Sequence, residues 1–213
     1  MLLAGLAWGA LADDSERLLC AYAVGINQTA NSRSGTGIYL GKGFVLTASH
    51  VVGRALLHSP KVMIGGRDLA ARIVKQESFE QSDLALLAVD QSQIPDELRS
   101  ARLALCTTAP WPGQDVVTVI PEEAVHTSIL SPVWLPPRTR QYSTVISDVA
   151  RTGNSGAGVF DAKDRCLLGI MSRKISDVLG QTDKRQTVDL AKYFVPVAVI
   201  REFLPKGVVD TQP

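Results

Sequence analysis

Three cysteines, three histidines and a net charge of +1 are the scarcities that say most about this chain of 213 residues. Cys20, Cys106 and Cys166 permit one internal disulfide at most and leave a thiol over, so disulfides are not the main staple of the fold. The small net charge supplies no field that would draw nucleic acid or an anionic membrane. No His/Cys/Asp/Glu cluster shows metal-ligand spacing, which argues against a metal enzyme, and nothing calls for a cofactor. The apolar run from Met1 to Ala12 is too short to span a bilayer, so no membrane span is expected. Internal repeats and low-complexity tracts are missing, and helix periodicity is scarce.

What is present is an ordinary globular composition, 46% hydrophobic and 20% charged, with enough length to bury a full core. Ala10-Leu11-Ala12 has the small-x-small form of a signal-peptide cleavage site and Asp13-Asp14 makes an abrupt polar start, although no Lys or Arg precedes the run. Export to a periplasmic or extracellular compartment is the expectation, with the cytoplasm as the alternative. Short strand-like segments follow. Thr36 to Leu40 and Phe44 to Thr47 flank Gly41-Lys42-Gly43, a hairpin pattern that Val62 to Ile64, Gly65-Gly66 and Ala70 to Val74 repeat. Leu84 to Val89 is a continuous apolar run suited to a buried strand. Ile94 to Trp111, punctuated by prolines, reads as a connector with Arg99 and Arg102 exposed. Further strands are expected at Asp115 to Ile120, His126 to Leu135, Tyr142 to Val149, Ala157 to Phe160 and Cys166 to Ser172. The basic residues Arg173, Lys174, Lys184 and Arg185 read as a solvated loop. One helix is expected, from Val197 to Leu204 behind Pro196.

Three short stretches carry chemistry: Leu46-Thr47-Ala48-Ser49-His50, Ser82-Asp83-Leu84-Ala85-Leu86-Leu87 and Gly153-Asn154-Ser155-Gly156. They place His50, Asp83 and Ser155 in that order, 33 and 72 residues apart. A serine hydroxyl needs a base within hydrogen-bond reach, and the base needs a partner to fix its tautomer. Order discriminates among folds. A nucleophile elbow needs its histidine after the serine, whereas His50, His58 and His126 all precede Ser155, so an α/β-hydrolase is excluded. His58 and His126 lack the strand-then-histidine context and read as surface or loop; Asp90 reads as a strand-end turn residue, and Asp161 and Asp164 as hairpin-turn residues.

On these motifs the chain resembles the trypsin-like serine proteases, nearest the compact bacterial HtrA-type branch. Only nine residues follow Leu204, so the peptide-binding domain appended to typical HtrA proteins is not expected after the protease. The resemblance implies an all-β fold of two consecutive six-stranded β-barrels with a short C-terminal helix. Residues 1–12 would be a leader-like segment, 13–105 a barrel carrying His50 and Asp83, and 106–213 a barrel carrying Ser155 and the helix. It implies a serine endopeptidase acting on polypeptide through an acyl-enzyme, with His50, Asp83 and Ser155 catalytic and the N–H groups of Gly153 and Ser155 as oxyanion donors. By the same resemblance Ser172 would help orient Asp83, and Ser172, Arg173 and Lys174 would border the primary pocket, with Lys174 narrowing its entrance. Val149 near the pocket floor offers no charge for a basic side chain, which implies small or medium apolar preference. Asn154 stands where digestive trypsins carry the aspartate that binds a newly cleaved N-terminus, so that activation route is not expected. Ala157-Gly158 departs from the usual Gly-Pro and puts a methyl beside the nucleophile turn. The competing reading is a latent or inactive protease-fold protein that binds polypeptide without cutting it.

Overall fold

The computed structural model describes residues 14–29, 32–53, 59–147, 154–179 and 186–209. Strands β1 (Ala23–Thr29), β2 (Ser32–Gly41), β3 (Phe44–Ala48), β4 (Lys61–Ile64), β5 (Arg67–Gln76) and β6 (Leu84–Val89) close into a six-stranded antiparallel barrel in the order β1-β2-β3-β6-β5-β4. Its turns are the ones the glycines announce. Gly41, Lys42 and Gly43 all have positive φ between β2 and β3, as do Gly65 and Gly66 between β4 and β5, which matches the turn twist to that of the strands. The apolar run from Leu84 is β6, paired residue for residue with β3 from Phe44↔Ala88 to Ala48↔Leu84. That register aligns the β3 end carrying His50 with the β6 end that follows Asp83.

A second six-stranded sheet has the order β8-β7-β10-β11-β12-β9, from β7 (Asp115–Ile120), β8 (Glu123–Ser128), β9 (Val145–Ile146), β10 (Gly158–Asp161), β11 (Leu167–Leu179) and β12 (Gln186–Pro196). The Ile129↔Ile146 bridge and the Leu130 N–H donated to Val145 O join the ends of that sheet. The two-barrel all-β expectation holds. The main apolar cluster runs unbroken from Ile38, Leu46 and Leu86 of the first barrel to Val117, Phe160 and Ile170 of the second. Each such side chain contributes roughly 1.5–3 kcal/mol on burial. The C-terminal α4 (Val197–Phe203) buries Val197, Ile200 and Phe203, so the expected helix is present behind Pro196.

Several expectations need correction. Arg173 and Lys174 lie within β11 and not in a loop; Lys184 and Arg185 fall outside the described residues. The strand expected from His126 begins earlier, at Glu123, and stops at Ser128, because Pro132 starts a 3₁₀ turn over Pro132–Trp134. His126 is therefore on a strand, exposed, with its Nε2 2.6 Å from Glu16 Oε1. Of Tyr142 to Val149 only Val145–Ile146 is strand, and Val149 lies outside the described residues. Three helices come in addition: α1 (Asp14–Tyr22), the single turn α2 (Ser49–Val52), and α3 (Asp96–Arg99) inside the expected connector. α1 rests on β7 and β8 of the second sheet and β1 and β2 of the first, burying Leu19 and Tyr22. Within the connector Arg102 is exposed as expected, but Arg99 is half-buried and donates to Ile94 O at 3.0 Å. Cys106 and Cys166 form a disulfide that ties the connector to the start of β11, while Cys20 is free.

Candidate active site

His50 stands where β3 gives way to α2. A one-turn helix has almost no stability of its own, and here Gln76 from β5 staples it, donating to Ser49 Oγ at 2.9 Å and to Gly53 O at 2.8 Å. The imidazole that results is held at its base and about a third exposed (35%).

Asp83 approaches from the loop ahead of β6. Its backbone has φ +55, a region that aspartate tolerates better than most residues. Two backbone bonds fix that turn: Asp83 N–H to Ser78 O at 3.0 Å, and Ser49 N–H to Asp83 O at 2.9 Å. The carboxylate is fully buried. It accepts from the His50 backbone N–H at 3.1 Å, and its oxygens lie 2.9 and 3.2 Å from His50 Nδ1. Ser172 Oγ donates to it at 2.5 Å. A buried carboxylate surrounded by donors takes its proton bond from Nδ1–H, which leaves the other imidazole nitrogen, Nε2, as an acceptor. That is the tautomer a general base requires. Ser172 reaches Asp83 because the β11–β12 register shifts between Met171 and Arg173, and a bulge re-aims a side chain in this way.

The turn at Ser155 is clamped between the two sheets. Thr36 N–H of β2 donates to Ser155 O at 2.8 Å, Gly156 N–H donates to Met171 O at 2.7 Å, and Met171 N–H donates to Ala157 O at 2.8 Å. Gly156 has φ +84, and a Cβ there would sit 1.8 Å from Thr36 O. Gly35 plays a matching part across the seam, since its Cβ would meet Val51 on one side and Ser155 O on the other. Small residues thus let the serine turn seat against β2 and the residue next to His50. The methyl of Ala157 points into the second barrel's core beside Val116, Val159 and Leu168, fully buried, so it does not crowd the open side of the turn. Asn154 is also buried, and its Oδ1 has no hydrogen-bond partner.

Of the residues singled out in the sequence, His50, Asp83 and Ser172 are brought into one hydrogen-bonded chain. Ser155 is seated at the seam beside them. Gly153, Val149 and His58 lie outside the described residues. Lys174 is paired on the sheet, its Nζ 2.7 Å from Asp189 Oδ2. The hydrogen bonds from Lys174 and Ser176 hold the Asp189 carboxyl below the usual range. Asp90 and Asp161 serve as turn residues, accepting from the Ser92 N–H and from the Lys163 N–H respectively. Among the described residues no group of three or more His, Cys, Asp or Glu could hold a metal ion.

Phe79 had no sequence signal, and Arg173, singled out as a pocket residue, lies against it. The Phe79 ring meets the His50 imidazole edge-on, centroids 5.9 Å apart at 84°. The Arg173 guanidinium lies over that ring, 3.9 Å from its centroid, and donates to Phe79 O at 2.6 Å.

Similarity to known proteins agrees with this geometry. The Rv3671c protease from M. tuberculosis in its active form superposes with a TM-score of 0.60 at 21% identity, over 92% of this chain and 85% of that one. The MamO protease domain from Magnetospirillum magneticum gives 0.57 at 22% identity, over 88% and 98%. Deg5 gives 0.59 at 16% identity, over 86% and 87%. At such identities the likeness shows the fold. No curated protein matches the chain significantly. The model of the trypsin-like peptidase domain matches residues 35–170, which contain His50, Asp83 and Ser155, and the chain belongs to that family.

Proposed function

We propose that the protein is a serine endopeptidase in which His50, Asp83 and Ser155 form the catalytic triad. The observation that carries the reading is the Asp83 carboxylate, fully buried and hydrogen-bonded to His50 through both its backbone N–H and Nδ1. Burying a charge is costly unless a task or a set of partners retains it. Here the partners set an imidazole at the seam where the serine turn docks.

In the proposed cycle His50 Nε2 takes the proton from Ser155 Oγ as the hydroxyl attacks the substrate carbonyl, and Asp83 stabilises the imidazolium. The proton then passes to the leaving amine, and water resolves the acyl-enzyme by the same route. The backbone N–H groups of Gly153 and Ser155 would receive the oxyanion, each donor worth on the order of 3 kcal/mol in the transition state. Ser155 supports this role, since its carbonyl is committed to Thr36 and the turn is thereby held in one orientation. Val149, Ser172, Arg173 and Lys174 would line the substrate cleft, with an apolar preference in the primary pocket from Val149.

Export fits the same reading. No helix among the described residues is long and apolar enough to cross a membrane, and the Cys106–Cys166 disulfide suits an oxidising compartment. The enzymatic reading is tested by turnover of an unfolded protein such as casein. Wild type should cleave it, and Ser155→Ala and His50→Ala should not while keeping the same melting temperature. Equal cleavage by either variant refutes the triad. Binding of casein by folded wild type without any cleavage supports the polypeptide-binding alternative instead.

A further inference from the structure

The strand beside the triad carries an unusual residue. Arg173 follows Ser172 directly, and its guanidinium lies among three rings: 3.9 Å from the centroid of Phe79, 6.0 Å from Tyr142 and 5.9 Å from Tyr193. Nη2 donates to Phe79 O at 2.6 Å and Nε lies 3.4 Å from Ser172 Oγ. Those contacts use two of five N–H donors, which leaves both on Nη1 and one on Nη2. The remaining three make an end-on fork of the shape that a carboxylate fills.

The neighbouring charges are already matched. Lys174 is paired with Asp189, and Asp83 is committed to His50 and Ser172. Among the described residues Arg173 has no carboxylate partner of its own. The surrounding rings and Phe79 O hold it still, so little side-chain entropy remains to be lost on binding. Phe79, the ring under the guanidinium, also meets the His50 imidazole edge-on. The fork is therefore joined to His50 through one shared aromatic ring.

We infer that Arg173 is a specificity-determining residue that takes a glutamate or aspartate side chain of the substrate. This rests on the peptidase reading for its placement. A polypeptide laid antiparallel along Ser172–Lys174 presents every second side chain to one face of the strand. With the residue at the cut facing the Lys174 side, the second and fourth residues ahead of it face Arg173. The substrate class is thus polypeptide with an acidic residue at one of those positions.

The test uses two pools of acetylated decapeptides, degenerate except for three central positions that are all glutamate in one pool and all glutamine in the other. Binding is measured on Ser155→Ala protein, so it does not depend on turnover, and fluorophosphonate labelling of wild type is read alongside. The glutamate pool should bind about ten-fold tighter, with the preference shrinking as salt rises. Arg173→Gln in the same background should abolish the preference. Arg173→Lys, which keeps the charge without the fork, should retain only part of it and carries the test if Arg173→Gln does not fold. Equal binding of the pools, or a preference that survives both substitutions, overturns the inference. Labelled Ser155 with no preference leaves the peptidase reading standing and refutes only Arg173. A preference without labelling does the reverse.

Discussion

Replacing Gly156 by alanine probes the seam between the barrels more sharply than any change to the proposed triad. The added methyl meets Thr36 O at 1.8 Å and Thr47 Oγ1 at 2.4 Å, at a residue whose φ is +84. Neither neighbour can yield cheaply. Thr36 O accepts from Thr47 Oγ1 at 2.6 Å in a buried bond, and Thr36 N–H holds Ser155 O. The positive φ alone costs about 1–2 kcal/mol with a Cβ present. Losing two buried hydrogen bonds adds about 1 kcal/mol each, for a total of about 3–4 kcal/mol. Gly113→Ala is the matched control, with φ +85 and nothing within 4 Å of the new methyl. Both variants share the φ strain and the stiffening of the unfolded chain, so their difference isolates the contact. At roughly 2–4 °C per kcal/mol for a chain of this size, Gly156→Ala should melt about 4–8 °C below Gly113→Ala. It should also slow fluorophosphonate labelling about 100-fold or more, because a nucleophile displaced by an ångström loses its alignment. Differential scanning fluorimetry and labelling kinetics measure the two. Equal melting temperatures with equal labelling rates would refute the claim that the serine turn is wedged against β2.

The other expected outcomes are these. Asp83→Asn should fold, because asparagine also tolerates the φ of +55, yet lose turnover by on the order of 10⁴-fold through the wrong imidazole tautomer; peptide hydrolysis within ten-fold of wild type contradicts this. Removing the Cys106–Cys166 crosslink, which closes a loop of 60 residues, should destabilise the protein by on the order of 4 kcal/mol, read as a lower urea midpoint in reductant. Asp161 adds an acid-side dependence. Burial pushes its carboxyl up, but the Asp164 N–H, the Gln114 amide and the Lys163 N–H together hold it below the ordinary value. A carboxyl lowered in the folded state contributes stability above its unfolded pKa, near 4, and loses it as pH falls below that. Wild type and Asp161→Asn should therefore differ in melting temperature at pH 7 and converge towards pH 3; a gap that widens on acidification contradicts the sign.

Much of the first barrel could be read locally. The glycine turns need positive φ and announce hairpins, and the apolar run from Leu84 to Val89 suits a buried strand. The order of His50, Asp83 and Ser155 singled out one architecture. The second sheet was harder to read because its longest strands are stabilised by each other. Arg173 and Lys174 look like loop residues alone, and Asp189 on β12 is what takes the charge of Lys174 and the hydroxyl of Ser176. β12 itself left no isolated signal. α1 carries no clear sequence signal because its buried Leu19 and Tyr22 make too short an apolar stripe to show periodicity. Which cysteines pair cannot follow from three positions along a chain. The Phe79–His50 and Arg173–Phe79 contacts join residues far apart in sequence, and no local pattern encodes them.

The most direct test of the central claim is mass-spectrometric mapping of a fluorophosphonate adduct on the folded protein. The account predicts one adduct, on Ser155, absent from Ser155→Ala and from His50→Ala, with Asp83→Asn labelling far more slowly than wild type. A folded wild-type protein that carries no adduct, or carries one on another serine, would contradict it.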